Sequence, residues 1–442
     1  MLLKFEVENY KSFKNKASLS LVTNSKIRNN PNHEANIDGL SVLKYASVYG
    51  GNACGKTNLF SALRTSRGII VNKALGNISA FKDSDDDTIS FSFVFEKDND
   101  VFEYGFSLNS IKSFNSFSIV DEHLNLLDIK NDSSILLFSN KGINNTISNN
   151  RDINFKEKLY FDNCKKDPTN LFLKYFVKRE NEIDGSVLQR YISKAFSFFF
   201  SDLVFVTNNA DGFTEINETT IKGISHRISL YDTGVSHLSF KETSDEDIKR
   251  IVPNEIINDI RKKFEEAAKQ KNRNLTVSLT NGVKVYNFVQ DDNGNIIARQ
   301  IVSEHRGFAS PFEFDEESDG TKRIILLCAL LFGNAKNKND KVYIFDEFEK
   351  SLHPNAAKAI LLDFIDLNAD KKSQLIITTH LKDLMDDVFR RDEIFLLDKF
   401  PNGESKITPL MEFEGVRTDT KISKNYSIGR FGGIPRIDKE YR

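Results

Sequence analysis

The residues with the clearest chemistry lie in the stretch GGNACGKT, which begins at Gly50 and ends at Thr57. It satisfies the pattern G-x-x-x-x-G-K-[ST], with a β-type run before it and apolar residues at helical spacing after it. Glycines allow successive backbone N–H groups to turn towards the β- and γ-phosphates of a nucleotide, Lys56 supplies a positive charge, and the Thr57 hydroxyl ligates Mg²⁺. We therefore predict a nucleotide-binding loop that consists of Gly50, Gly51, Asn52, Ala53, Cys54, Gly55, Lys56, Thr57 and Asn58. Because Cys54 stands beside a helix N-terminus, we also expect its thiolate to be favoured.

A second group of candidates follows an apolar run near the C-terminus, in KVYIFDEFEKSLHP. Residues 342–345 predict a buried strand, and the carboxyl groups of Asp346 and Glu347 come directly after it. Asp346 is suited to hold Mg²⁺ through its water shell, and Glu347 to act as the general base that polarises a water towards the γ-phosphate. An apolar strand that ends in two acids is common, so this assignment depends on the phosphate loop in the same chain.

Two further stretches carry candidate residues. In EESDGTKRIILLCALLF, Ser318, Gly320 and Thr321 stand at the start of a predicted helix. Ser318 is suited to be its N-cap, and the same helix start suits an anion, such as a second contact to the γ-phosphate. In SQLIITTHLKDL, His380 ends a predicted strand. A His at a strand end is more often structural than catalytic, but its place one strand and one helix after Asp346 favours a catalytic role.

Composition limits the setting of these residues. The chain has 442 residues, a formal net charge of −2 and three cysteines without a CxxC pair. The length predicts a core domain with an insertion, or two domains, and the charge provides no overall polycation for DNA. The cysteines favour neither a disulfide framework nor a zinc site. The start MLLKFEVENYKSF alternates as a strand does, and no apolar run could span a bilayer, so we expect a cytoplasmic protein without a membrane partner.

The elements around the candidate residues can be predicted coarsely. Residues 88–96 and 101–108 flank the turn KDND and predict a β-hairpin, whereas residues 133–150 are rich in Asn and Ser and predict a surface loop. Helical patterns follow, and the phenylalanines at 196 and 198–200 are predicted to lie in a core. NEIINDIRKKFEEAAKQKN predicts a helix with one solvated face, and DDNGN a further hairpin turn.

Taken in chain order, GGNACGKTN, ESDGTKR, IFDEFEKSLHP and IITTH resemble the Walker A, signature, Walker B with D-loop, and His-switch elements of ABC-type ATPases. The start FEVENYKSF is similar to the first strand of the RecF and SMC branch of that superfamily. ESDGT, DEFEKSLHP and the C-terminal SIGRFGGIP resemble ATPases of bacterial abortive-infection and anti-phage modules. These are the AbiL/RloA group and the AriA-like ATPase of PARIS, with the OLD-family nucleases more distant. The resemblance covers both ends of the chain and matches its middle only loosely.

This resemblance implies an α/β fold, namely an ABC-type P-loop ATPase head with a mixed sheet, helices and an antiparallel β-subdomain. It places the N-terminal part of the head, with Walker A and the β-subdomain, in residues 1–155 and a mainly helical inserted subdomain in residues 156–274. Residues 275–442 are the C-terminal part of the head, with the signature, Walker B and His-switch. Two heads would sandwich two ATP molecules, with residues of one head acting in cis (Lys56, Thr57, Asp346, Glu347 and His380) and residues of the other in trans (Ser318, Gly320 and Thr321).

The sequence departs from the family pattern in three places. ABC heads carry a Gln on the strand after the phosphate helix, but no Gln occurs before Gln189, so the residue that replaces this contact is not assigned. The insert has no heptad run long enough for an SMC arm, which argues against long-distance DNA tethering. Only residues 381–442 follow His380, too few for the Toprim nuclease of OLD relatives. The acids of DLMDD are predicted to be the exposed side of one helix, so we expect no intrinsic nuclease.

The sequence therefore predicts a Mg²⁺-dependent ATPase that forms a homodimer or larger assembly and acts as sensor or regulator of an effector in anti-phage defence. The expected partner is a toxin or nuclease subunit encoded nearby, and DNA or a phage protein is a further candidate. The alternative is a RecF-like repair ATPase that acts at DNA ends or gaps, which a basic groove on the dimer would favour. A scaffold that binds ATP without turnover is the third hypothesis, and Glu347 argues against it.

Overall fold

The structure is a computed structural model. It describes residues 1–23, 27, 29–71, 78–111, 116–141, 144–147, 155–164, 167, 169–179, 186–206, 218–243, 248, 252–269, 275–280, 285–291, 294–333, 340–414, 416 and 421–434. In these segments no helix is long and apolar enough to cross a membrane.

The chain divides into two compact units. Unit 1 comprises residues 1–205, 339–348 and 367–442, and unit 2 comprises residues 206–338 and 349–366. The chain therefore leaves unit 1 and returns to it twice. The sequence predicts a different division, into three segments with boundaries at 155 and 274. That division stays a prediction.

In the described part of the chain, the strands are β1 (Leu2–Glu8), β2 (Ala17–Ser20), β3 (Glu34–Ile37), β4 (Leu40–Leu43), β5 (Tyr45–Gly50), β6 (Thr88–Lys97), β7 (Asp100–Ile111), β8 (Ser116–Asp128), β9 (Ser133–Lys141), β10 (Asn144–Ile147), β11 (Leu203–Val206), β12 (Val235–Glu242), β13 (Val277–Thr280), β14 (Val285–Gln290), β15 (Ile296–His305), β16 (Phe312–Glu313), β17 (Val342–Phe345), β18 (Gln374–Thr378), β19 (Ile394–Lys399) and β20 (Ser405–Pro409). The helices are α1 (Lys56–Val71), α2 (Phe155–Cys164), α3 (Phe172–Val177), α4 (Val187–Ser197), α5 (Glu218–Ile228), α6 (Asn254–Lys269), α7 (Asp319–Phe332), α8 (Pro354–Leu367), α9 (Leu384–Asp387) and α10 (Ile422–Ser427).

A six-stranded mixed sheet carries most of the candidate residues. Its strand order is β11, β17, β18, β5, β19, β20. The neighbours β17, β18, β5 and β19 run parallel, and β20 pairs antiparallel with β19. Every residue of β5 and β18 is buried, as expected for parallel strands that are covered on both faces. The strand predicted before the two acids is confirmed as β17, and the predicted α/β fold class with a mixed sheet is confirmed with it.

The second large sheet of unit 1 has seven strands, all antiparallel to their neighbours. Its order is β10, β9, β8, β7, β6, β1, β2. The alternation read at the start of the chain is confirmed, because Leu3, Phe5 and Val7 of β1 are buried while Lys4 and Glu6 are partly exposed. This sheet corresponds to the antiparallel β-subdomain that the sequence predicted.

The predicted hairpin around KDND is confirmed as β6 and β7, whose register pairs Lys97 with Asp100. The two turn residues between them, Asp98 and Asn99, both have positive φ, at 50° and 66°. Positive φ at both central residues is what a two-residue type I′ turn requires, and Asp and Asn tolerate it better than most residues.

The surface loop predicted over residues 133–150 is wrong for the residues that the structure describes. β9 and β10 pair antiparallel with each other, and β9 also pairs with β8. Leu137 and Phe138 of β9 are almost fully buried in the core. The burial of these apolar side chains against the sheet outweighs the turn preference of the surrounding Asn and Ser residues.

The described parts of residues 156–274 are mainly helical, with α2 to α6 and the strands β11 and β12. The phenylalanine cluster after α4 divides between core and surface. Phe198 and Phe199 are fully buried, and Phe198 stacks on Phe95 with ring centroids 4.3 Å apart. Phe200 is 61% exposed, so the core prediction is wrong for this residue.

Unit 2 contains a five-stranded sheet in which β12, β15, β14 and β13 follow one another and β16 pairs with β15. The hairpin predicted around DDNGN is confirmed as β14 and β15. The mixed-charge helix is confirmed as α6, and its buried face places Ile260 and Phe264 against Tyr286 and Phe288 of β14.

Candidate functional site

The candidate residues of unit 1 lie at one edge of the mixed sheet, where its parallel strands end. The register aligns Phe345 with Ile377 and Thr378 with Val48, so β17, β18 and β5 end side by side. The carboxyl edge of an open parallel sheet is the usual place for a ligand. This edge brings the start of the phosphate loop together with Asp346 and with the chain that leads to His380.

The loop between β5 and α1 has a backbone suited to an anion. Ala53 and Gly55 adopt left-handed conformations, with φ of 61° and 115°. The loop runs directly into α1, whose first turn holds no acidic residue, so the helix dipole favours a negative group there. Lys56 is buried, and its Nζ donates hydrogen bonds to the carbonyl oxygens of Gly50 (2.8 Å) and Gly51 (3.1 Å).

Two glycines of the loop are required by close packing. A Cβ on Gly50 would overlap the Cys54 Sγ and lie 2.6 Å from the carbonyl oxygen of Leu397. A Cβ on Gly55 would lie 2.5 Å from the Ser405 Oγ. No side chain fits at either position without displacing its neighbours, which is consistent with a loop that lies close to both a ligand and the sheet.

Residues far away in sequence support the loop. Ser405, the first residue of β20, donates its hydroxyl to the carbonyl oxygen of Cys54 at 2.6 Å. Ser12 accepts a hydrogen bond from the side-chain amide of Asn58 at 2.8 Å. Sequence reasoning missed both serines. The stretch NYKSF was noted only as part of the predicted first strand, and no motif marks Ser405.

The expectation of a favoured thiolate at Cys54 is wrong. The side chain is buried, with 5% of the residue exposed. Burial raises the pKa of the Cys54 thiol, and the neighbouring positive charge of Lys56 offsets only part of this rise. Loss of solvation outweighs the helix N-terminus here, so Cys54 packs the loop and is not an activated nucleophile.

Thr378 holds the two acidic residues at the end of β17. Its hydroxyl donates to Asp346 Oδ1 at 2.7 Å and accepts the backbone N–H of Glu347 at 2.8 Å. Its carbonyl oxygen also accepts the N–H of Phe348 at 3.0 Å. Sequence reasoning missed Thr378, although the sequence IITTH contains a hydroxyl residue at the end of the neighbouring strand.

Glu347 has a left-handed backbone, with φ of 51°. This conformation is uncommon for a residue with a side chain, and at functional sites it often marks a backbone held in place by its surroundings. The side chains of Asp346 and Glu347 are both partly exposed, so solvent and a ligand can reach them.

His380 lies two residues beyond the end of β18 at the same carboxyl edge, and it is exposed. The preceding residue, Thr379, is tied to the strand of the phosphate loop, because its N–H donates to the carbonyl oxygen of Val48 at 3.1 Å. The structure therefore anchors the chain just before His380. The catalytic role of His380 stays a prediction.

The signature residues belong to unit 2. Ser318 is the N-cap of α7 as predicted, and its Oγ accepts the N–H of Thr321 at 3.1 Å. A Cβ on Gly320 would lie 2.9 Å from the carbonyl oxygen of Ser351, so this glycine permits close backbone approach to the segment after Glu349. The first turn of α7 contains Asp319, whose charge opposes anion binding. The anion site at this helix start stays a prediction.

Glu317 fixes the position of the signature from the preceding residue. Its side chain is buried and accepts hydrogen bonds from Ser303 and, at 2.6 Å, from the Nε2 of His305, both on β15. The N-cap Ser318 is thus attached to the sheet of unit 2. Sequence reasoning did not assign a role to Glu317.

Comparison with known proteins shows to which family the chain belongs. A family model described as "AAA domain, putative AbiEii toxin, Type IV TA system" matches residues 46–386, which is more than half of the chain. The chain belongs to this family. The match includes the phosphate loop, the signature residues, the two acids after β17 and His380. No curated protein matches this chain.

Several solved structures are similar to the chain. The SMC head domain from Thermotoga maritima aligns over 92% of this chain and 98% of its own, with 13% identity and a TM-score of 0.41. An Smc head domain with an extended coiled coil, derived from Pyrococcus furiosus and bound to the C-terminal domain of ScpA, aligns over 92% and 95% of the two chains, with 14% identity and a TM-score of 0.41.

The family and the loop geometry identify the chain as a P-loop ATPase. The residues fit the phosphate groups of a nucleotide, because the loop has left-handed turns, glycines without room for a side chain, and an amine at its centre. The narrower grouping with AbiL/RloA and the PARIS ATPase stays a prediction.

Proposed function

We propose that the chain hydrolyses ATP in a Mg²⁺-dependent reaction at the carboxyl edge of the mixed sheet. The observation that carries this proposal is the attachment of both acids, Asp346 through its side chain and Glu347 through its amide, to the same Thr378 hydroxyl beside the phosphate loop. Lys56 and the loop amides would bind the phosphates, and Thr57 and Asp346 would hold Mg²⁺, which neutralises charge on the phosphates. Glu347 would polarise the attacking water as general base, with His380 assisting.

Separating binding from turnover tests this assignment. Glu347→Gln should keep ATP affinity but lower kcat by at least about a hundredfold, since it removes the base and keeps the shape of the side chain. Lys56→Ala should weaken ATP binding itself. Glu8→Gln, at an exposed residue of β1, is the matched control and should behave like the parent. Parental kcat in the Glu347 variant would show that another group acts as the base.

The proposed assembly is a homodimer or larger oligomer in which Ser318, Gly320 and Thr321 of one chain complete the phosphate site of another. The proposal is supported by the position of Ser318 at the exposed start of α7 and by the close approach that Gly320 permits. Ser318→Arg would then block the trans contact while leaving the phosphate loop of its own chain intact.

A mixing experiment tests the trans arrangement. Ser318→Arg and Lys56→Ala proteins should each lack ATPase activity. In a mixed dimer, one of the two sites would combine an intact phosphate loop with an intact Ser318. Each mixed dimer should therefore regain about half of its sites if the sites are independent, which is about a quarter of the parental activity for an equimolar mixture that exchanges subunits freely. No recovery in mixed dimers proven by mass measurement would contradict independent composite sites.

We further propose that ATP turnover controls a partner effector in anti-phage defence, as a toxin-associated family and the resemblance to the AbiL/RloA and PARIS ATPases suggest. The partner would be a toxin or nuclease subunit encoded nearby, in the cytoplasm, and a phage protein or DNA would be the trigger. Expression with the neighbouring genes should reduce phage plaques, and Glu347→Gln should abolish this protection. Equal plaque numbers, together with ATPase activity stimulated by gapped DNA, would favour the RecF-like repair function instead.

A further inference from the structure

The C-terminal stretch SIGRFGGIP has no part in the site described so far, yet its described residues lie beside the phosphate loop. It follows α10, whose first residue is anchored because the N–H of Ile422 donates to Asp386 Oδ1 at 2.7 Å. Asp386 is exposed, as the sequence predicted. Its hydrogen bond also attaches α10 to the rest of unit 1. The anchor directs the following residues to the carboxyl edge of the mixed sheet.

Two contacts, one from Tyr426 just before this stretch and one from Gly433 within it, reach the start of the loop. The ring of Tyr426 meets the ring of Tyr49, the residue before Gly50, edge-on at a centroid distance of 6.0 Å. A Cβ built on Gly433 would lie 3.7 Å from the Cα of Gly50, so the two glycine backbones are adjacent. Burial raises the pKa of Tyr426 to about 12, and the proximity of Cys54 adds to this rise. Tyr426 and Gly433 therefore lie against Tyr49 and Gly50, at the start of the loop.

Gly433 is held from both sides of its backbone. Its N–H donates to Asp398 Oδ1 at 2.5 Å, and its carbonyl oxygen accepts the hydroxyl of Tyr426 at 2.7 Å. Gly432 and Gly433 have φ of 70° and 67°, and a Cβ on Gly432 would overlap the carboxylate of Asp398. Asp398 follows Leu397, which is paired in register with Gly50. One carboxylate on the strand beside β5 thus holds the C-terminal stretch against the loop.

We propose that Asp398, Tyr426 and Gly433 form a brace that positions the phosphate loop for ATP. The inference rests on the proposed function, because it concerns the same loop. The carbonyl oxygen of Gly50 accepts the Nζ of Lys56, so a shift of Gly50 changes the position of the amine that binds phosphate. Loss of the brace therefore weakens nucleotide binding and leaves the base Glu347, which is held by Thr378, in place.

Three variants test the brace. Asp398→Ala removes the acceptor of the Gly433 N–H and should weaken the affinity for a fluorescent ATP analogue about tenfold, the size expected for one hydrogen bond to a charged group. KM for ATP should rise by a similar factor, with kcat within about twofold of the parent. Asp398→Asn keeps an acceptor of the same shape and should restore most of the affinity. Tyr426→Phe should show a smaller loss, because it removes only the hydroxyl.

The control is Asp83→Ala, at an exposed residue, which should leave both affinity and kcat unchanged. Parental affinity in folded Asp398→Ala and Tyr426→Phe proteins would overturn the brace, whereas a parent protein that binds no ATP would overturn the proposed function. A fall in kcat without a change in affinity would also contradict a positioning role in binding.

The three buried cysteines supply a readout that separates local from global effects. Cys54 lies in the braced loop, whereas Cys164 and Cys328 lie in α2 and α7. Alkylation mapped by mass spectrometry should be several-fold faster at Cys54 in Asp398→Ala, with unchanged rates at the other two. Equal acceleration at all three would show that the substitution only destabilises the fold and would overturn the proposal.

Discussion

Replacement of Thr378 by Val is the sharpest test of how the acids are positioned. The two side chains have nearly the same shape, and Thr378 is 4% exposed, so the change removes a hydroxyl from a buried place without opening a cavity. It deletes the hydrogen bond to Asp346 Oδ1 and leaves the N–H of Glu347 without the acceptor that it now uses.

The size of the effect can be worked out from these two bonds. A hydrogen bond to a charged group contributes about 1.5–3 kcal/mol, and one between neutral groups about 0.5–1.5 kcal/mol. If only the hydrogen bond to Asp346 stabilises the transition state, its loss lowers kcat about 10- to 150-fold. The affinity for ATP should change little, because the Thr378 hydroxyl bonds to Asp346 and Glu347, whereas Lys56 bonds to the carbonyl oxygens of Gly50 and Gly51.

Steady-state ATPase kinetics and calorimetric titration with ATP measure the two quantities separately. Thr378→Ser keeps the hydroxyl and should retain most of the parental kcat. Thr65→Val removes another buried hydroxyl in unit 1, one that contacts the hydroxyl of Tyr10 at 3.1 Å, and should leave kcat unchanged. A folded Thr378→Val protein with parental kcat would refute the view that this hydroxyl holds the acids in their working arrangement.

Three other changes probe neighbouring contacts. Gly50→Ala should lower ATP affinity at least about tenfold in a fluorescence titration, because the new Cβ has no room; unchanged affinity would show that the loop can shift freely. Glu317→Ala should lower kcat but not ATP affinity, since it frees Ser318 from β15 and spares the phosphate loop; equal kcat would contradict a role of the signature in turnover. Alkylation of Cys54 at pH 7 should be slower than that of glutathione and should keep accelerating at pH values where the rate for glutathione has levelled off, because burial raises the pKa of the Cys54 thiol; a faster reaction than glutathione at pH 7 would contradict this.

The parts of the site that the sequence predicted well are those made by one short segment of chain. The phosphate loop, the strand before Asp346 and the N-cap Ser318 each depend on residues within a few positions of one another. The hairpin of β6 and β7 is also local, since its turn residues stand between two alternating strands. Local backbone preference and periodicity carry this information, so a single sequence suffices.

The supporting contacts could not be predicted because they join residues that are distant in the chain. Ser405 and Cys54 are 351 positions apart, and Thr378 and Asp346 are 32 positions apart. Their meeting depends on the strand order of the mixed sheet, which places β18 between β17 and β5 and β19 next to β5. A single Ser or Thr produces no periodic pattern in the sequence. The strand order of the sheet determines which residue its hydroxyl meets.

The left-handed backbone of Glu347 ends the alternation of the strand between the two adjacent acids that follow β17. In an extended strand, successive side chains point to opposite faces, so an extended Glu347 would project away from the face that Asp346 uses. With φ of 51° the alternation ends at this residue. A left-handed conformation costs about 1–2 kcal/mol for a residue with a Cβ, and glycine would avoid this cost but would also remove the carboxylate. The Thr378 hydroxyl offsets part of it, because it accepts the Glu347 N–H while it holds Asp346. The same contact thus stabilises the strained residue and orders its neighbour, which ties the geometry of the proposed base to that of the proposed metal ligand.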